Sequence, residues 1–66
     1  MELNKFEMQI VRMLTNGYSK VVIGEVLKIS TCEVEMYFKS IRDKINPKDI
    51  EYVEIYSTLQ NILELT

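Results

Sequence analysis

The side chains able to do chemistry in this 66-residue chain crowd into its middle. Lys20, Thr31, Cys32, Glu35, Met36, Lys39, Ser40 and Arg42 supply ammonium, guanidinium, hydroxyl, thiol, thioether and carboxylate groups. From Thr31 onward they recur at intervals that a helix would gather onto adjoining faces. This is the chemistry of recognition, with donors and acceptors offered to the polar edges and charges of a partner. Catalysis would need a different set. The chain has no histidine, no nucleophile beside a positioned base and no glycine loop to cradle a phosphate, all of which argues against an enzyme. One cysteine and no histidine also preclude an intrachain disulfide or a one-chain zinc site, so neither metal nor cofactor is expected.

Helices must position these groups, and their start signals are explicit. In Ile29-Ser30-Thr31-Cys32-Glu33-Val34, Ser30 can cap the first free N–H groups, Glu33 can reach back to complete a capping box, and Ile29 can staple onto Val34. Leu3-Asn4-Lys5-Phe6-Glu7-Met8 repeats that grammar. Phe6, Ile10, Met13 and Leu14 follow at helical spacing up to the Asn16-Gly17 stop, which predicts a first helix over Lys5–Thr15. Ser19 opens a short second helix ending near Lys28, with Val22, Ile23, Val26 and Leu27 as its buried stripe. Gly24 inside it predicts close approach of a neighbouring helix. A third helix, about Thr31 to Lys44, carries Val34, Tyr37, Phe38, Ile41 and Ile45 along one side.

Asn46 as cap, Pro47 at the first helical position and Ile45 stapling to Ile50 predict a fourth helix over 47–64. It is apolar on two stripes. Tyr52, Ile55, Leu59 and Ile62 form one, and Val53, Tyr56 and Leu63 the other. A domain this small can cover only one of them, so a homodimer is expected, with Tyr52, Ile55, Tyr56, Leu59, Ile62 and Leu63 at its interface. Size points the same way. A chain of this length buries only about 60% of its unfolded surface, and a partner copy is a common source of the missing stability.

The fold class is therefore all-α, a single four-helix domain over residues 1–66 with a helix-turn-helix at 20–45. The second helix of such a unit is the usual reader of a DNA major groove. No stretch has membrane-span length and no signal peptide leads the chain, so a soluble cytoplasmic protein of a bacterium or phage is expected, with no membrane partner. The charge is uneven: +1 over residues 1–29, 0 over 30–45 and −3 over 46–66, where Lys48 stands against Asp49, Glu51, Glu54 and Glu64. A net charge of −2 argues against a nonspecific nucleic-acid binder.

These motifs resemble the LuxR/GerE-type helix-turn-helix domain of transcription regulators, in its stand-alone, GerE-like form. Leu3-Asn4-Lys5-Phe6-Glu7 is similar to the family's Leu-Thr-x-x-Glu, and Gly17-Tyr18-Ser19 to its Gly-x-Ser. Ile23 through Ser30 is similar to Ile-Ala-x-x-Leu-x-Ile-Ser, and Glu33 through Ile45 in part to Thr-Val-x-x-His-x-x-x-Ile-x-x-Lys-Leu. The resemblance covers residues 3 to 45, and the fourth helix only by length. Promoter-recognition domains of sigma factors share much of the pattern, but the Lys-Ile ending and the following helix favour LuxR/GerE. The resemblance implies double-stranded DNA as partner, with Thr31, Cys32, Glu35, Met36 and Lys39 nearest the bases and Lys20, Ser40 and Arg42 nearer the phosphates.

The departures from the family are acidic and apolar. Its Thr is Glu33, its common Lys or Arg is Glu35, its His is Tyr37, and the phosphate-contacting Lys of the second helix is Val21. Glu33 is read as the capping partner of Ser30, with base reading the rarer use. Glu35 lies past the cap: it is a solvated side chain, a cytosine reader or part of a protein-binding surface. Cys32 is a small polar residue in a first turn or, on the sharper reading, a redox switch. Met8, Met13 and Met36 read as gap fillers. Two functions follow. The leading one is sequence-specific DNA binding by a dimeric regulator. The alternative is a protein-binding antagonist or adaptor that keeps the fold and inhibits another LuxR-type regulator by direct interaction.

Overall fold

The computed structural model describes residues 3–46 and 48–64. Over these residues the chain forms four helices and no strand: α1 Lys5–Thr15, α2 Lys20–Leu27, α3 Thr31–Lys44 and α4 Val53–Glu64. Helix α3 packs against both α2 and α4, and α1 lies on α4.

The first three helices begin where their capping residues dictate. The Glu7 N–H donates to Asn4 Oδ1 at 2.8 Å, and the Asn4 N–H donates back to Glu7 Oε1 at 3.1 Å. The Val22 N–H donates to Ser19 Oγ. At α3, the Glu33 N–H donates to Ser30 Oγ at 3.1 Å, while Glu33 Oε1 accepts from the Ser30 N–H and hydroxyl. Each arrangement satisfies N–H groups that a helix N-terminus leaves without a partner. Helix α1 stops in a Schellman turn. Gly17 takes φ 86, its N–H donates to the Leu14 carbonyl, and the Tyr18 N–H donates to the Met13 carbonyl.

The turn between α2 and α3 is Lys28-Ile29-Ser30, and Lys28 bends it by adopting the left-handed conformation, φ 60 and ψ 44. The Ile29 N–H donates to the Gly24 carbonyl at 2.9 Å. A Cβ on Gly24 would stand 2.9 Å from the Ile29 carbonyl oxygen and 3.5 Å from Val34 Cγ2. The expected close approach is thus to the turn backbone as well as to the neighbouring helix.

The core combines Ile10, Val11, Met13 and Leu14 of α1, Ile23 of α2, Val34, Phe38 and Ile41 of α3, Ile45 just beyond it, and Leu59 of α4. Phe6 meets Tyr37 with ring centroids 4.8 Å apart, an aromatic contact between α1 and α3.

Three expectations are corrected. On α2 only Ile23 and Gly24 are buried and Leu27 is half-buried, while Val22 and Val26 are 41% and 57% exposed. An eight-residue helix packed mainly on α3 has one covered side, too narrow for the four-residue stripe. Helix α4 starts at Val53, six positions later than expected. Asn46 Oδ1 accepts from the Lys48 N–H and Asp49 Oδ1 from the Glu51 N–H, and these side-chain turns compete with helix at its first residues. Ile50 is 91% exposed, so it does not staple to the buried Ile45. The role expected of Pro47 lies outside the described residues.

Candidate nucleic-acid interface

Helical spacing of about 100° per residue sorts α3 into four sides. Val34, Phe38, Ile41 and, just past the helix, Ile45 face the core. Glu33, Tyr37, Ser40 and Lys44 form the side next to α1. Thr31, Glu35 and Arg42 share the opposite flank, where Glu35 meets α2 and Arg42 meets α4. Cys32, Met36, Lys39 and Asp43 make the outer side, and all four are exposed.

The expected contact residues divide accordingly. Cys32, Met36 and Lys39 stand free on the outer side, with Met36 68% exposed. Thr31 is half-buried at the start of α3. Lys20 and Glu35 meet each other, Lys20 Nζ lying 3.6 Å from Glu35 Oε1. Ser40 turns toward α1, its hydroxyl donating to Glu7 Oε2 at 3.2 Å. Arg42 turns toward α4, its Nη1 donating to Gln60 Oε1 at 3.4 Å while Nε pairs with Asp43 at 3.5 Å. Ser40 and Arg42 are thus engaged within the chain. Glu33 is occupied by the cap on Ser30, as its spacing implied.

The electrostatics follow from these pairings. Of the cations between residues 20 and 45, Lys20, Arg42 and Lys44 are paired with carboxylates, whereas Lys28 and Lys39 form no ion pair among the described residues. A shallow depression of about 330 Å³, lined by Glu33, Met36, Tyr37 and Ser40, runs along the side of α3 next to α1.

Sequence reasoning assigned Glu7 a cap and missed its second role. Glu7 is 2% exposed, and besides serving Asn4 it accepts from Ser40 and from Lys44 Nζ at 2.8 and 3.0 Å. Burial by itself would raise its pKa. Hydrogen bonds from Lys44, the Asn4 N–H and Ser40, with the Lys44 charge, outweigh that and hold it below the usual carboxylate range. Glu7 therefore fastens α3 to the first turn of α1 on the side away from Glu35.

On α4, Leu59 lies wholly inside the core of this chain and has no side-chain surface left for a second copy. Tyr52, Ile55, Tyr56, Ile62 and Leu63 are half-buried against the same core, and Val53 is 46% exposed. Among the described residues no helix is long and apolar enough to cross a membrane.

The family model GerE, described as bacterial regulatory proteins of the luxR family, matches residues 1–56, which include the capped α1, the α2–α3 turn and the start of α4. No curated protein and no solved structure matches the chain.

Proposed function

Since the chain belongs to the luxR (GerE) family of bacterial regulatory proteins, whose domains are DNA-binding helix-turn-helix regulators, we propose that it binds specific DNA sequences as a small homodimeric transcription regulator. The outer side of α3 supports this reading best. Cys32, Met36 and Lys39 project from a helix locked on its other sides to α1, α2 and α4, the rigid presentation that major-groove reading requires. Thr31, Cys32, Glu35, Met36 and Lys39 would meet base edges and Lys20 a phosphate. Ser40 and Arg42 would have to leave Glu7 and Gln60 to join them. The homodimer would use half-buried apolar side chains of α4 and of the residue just before it, chiefly Tyr52, Ile55, Tyr56 and Ile62, with Leu63 beside them.

Selection from random-sequence duplexes at moderate salt tests the reading. Enrichment of one motif built of two related half-sites is the expected result. No enrichment would overturn it.

One observation favours the alternative. Val21, Val22 and Val26 leave α2 with an exposed apolar surface where the family places a phosphate-contacting lysine, a surface suited to a protein. An antagonist of this kind would enrich no DNA and would instead bind another LuxR-type regulator directly.

A further inference from the structure

We propose that Glu35 reads cytosine, making it the residue through which this chain departs in specificity from readers that carry a cation there. The inference rests on the DNA-binding reading above. Of the carboxylates on α3, Glu33 is taken by the Ser30 cap, and Asp43 stands in the last turn beside Arg42, away from the N-terminal turns through which such a helix reads bases. Glu35 is engaged otherwise. Its Oε1 is 3.6 Å from Lys20 Nζ, close enough for charge to act and beyond hydrogen-bond distance. Its oxygens keep their capacity to accept from an N–H donor. Both side chains are part-exposed, 31% for Lys20 and 25% for Glu35, and so exposed a pair stabilises a fold little.

A carboxylate entering a groove lined by phosphates is repelled unless a cation travels with it. Lys20, at the first position of α2, supplies that charge from the groove's edge, where it also faces the phosphates, so the pair presents no net charge to the DNA. Within the major groove the donors are the amines of cytosine and adenine, whereas guanine and thymine present oxygen acceptors that repel a carboxylate. Adenine also sets its N7 acceptor beside its amine, and cytosine sets a C–H there. In the duplex the adenine amine lies between two acceptors, its own N7 and thymine O4. The cytosine amine has an acceptor on one side only, guanine O6, which makes cytosine the better donor to Glu35.

The test is parallel selection of random duplexes with the full chain, Glu35→Ala and Glu35→Gln, followed by affinities for single-base variants of the winning site. The wild-type motif is expected to hold cytosine at one position of each half-site, and replacing it should weaken binding about tenfold or more. Glu35→Ala should keep the rest of the motif and lose that preference, and Glu35→Gln should move it toward adenine, whose amine and N7 suit an amide. A Glu35→Ala motif identical to wild type at every position would overturn the proposal while leaving DNA binding intact. A wild-type chain that enriches no motif would overturn both, and circular dichroism confirming that the variants are helical separates either result from misfolding.

Discussion

Lys44 Nζ lies 2.8 Å from Glu7 Oε1, joining the last turn of the third helix to the first turn of the first across 37 residues of sequence. The Glu7 carboxylate is buried and the Lys44 side chain is 41% exposed, so the pair closes the edge of the core. Glu7 also accepts from the Asn4 N–H and the Ser40 hydroxyl, so one carboxylate caps α1 and fastens α3 to it.

Replacing Glu7 by Ala is expected to cost about 1.5–3 kcal/mol, the scale of hydrogen bonds to a charged group, seen as a lower midpoint in urea. Its pKa is depressed on folding, so the ionised form favours the native state. That contribution is complete above the ordinary carboxylate pKa and is lost as pH falls through the depressed native value. Melting temperatures from neutral to acid pH should therefore fall more steeply for wild type than for Glu7→Gln. Parallel curves would show that Glu7 carries no such linkage.

Gly24→Ala should destabilise the chain, although alanine is the better helix former by about 1 kcal/mol. The added methyl would stand 2.9 Å from the Ile29 carbonyl, a backbone atom that cannot swing away. Ser30→Ala, which removes a cap two residues after that turn tightens, should cost about 0.5–2 kcal/mol. Thermal denaturation of both variants checks the turn. A more stable Gly24→Ala protein would mean that the helices separate at little cost.

Lys39 is the cation on the outer side of α3, and no carboxylate among the described residues neutralises it. Its replacement by Ala should lower the slope of log affinity against log salt by about one unit if it meets a phosphate. Its loss should instead fall on a single base-pair position if it reads guanine, at about 1–3 kcal/mol. Titrations at several salt concentrations distinguish these outcomes. A Lys39→Ala chain with unchanged affinity and slope would remove Lys39 from the interface.

Leu59 and Ile62 lie three residues apart on α4 and should respond differently to Asp. Leu59 is fully enclosed, and truncating such a leucine even to Ala costs about 2–5 kcal/mol, so Leu59→Asp should unfold the chain. Ile62 is half-buried, and Ile62→Asp should preserve most of the helicity while shifting a dimer toward monomer. Sedimentation beside circular dichroism reads both. A folded Leu59→Asp monomer would contradict the packing of α4, and a wild-type chain that sediments as a monomer at high micromolar concentration would contradict the homodimer.

Helix starts were legible in the order of residues because capping is local. Asn4 with Glu7, Ser19 with Val22, and Ser30 with Glu33 each close over a three-residue separation, so neighbours in sequence suffice. The Gly17 stop and the tight turn before Ser30 are local in the same sense, and they carry the family resemblance. The delayed start of α4 was local as well, but Asn46 and Asp49 are equally good at capping a helix and at closing turns of their own. Which surfaces each helix presents depended on the tertiary structure. Val22 and Val26 carry the spacing of a buried stripe, yet both are exposed, with no helix among the described residues covering them. Glu7 reaching Ser40 and Lys44, Glu35 reaching Lys20, and Arg42 reaching Gln60 join residues between 15 and 37 positions apart. Such pairs form only once the angles between helices are set, and side-chain packing in the core sets those angles.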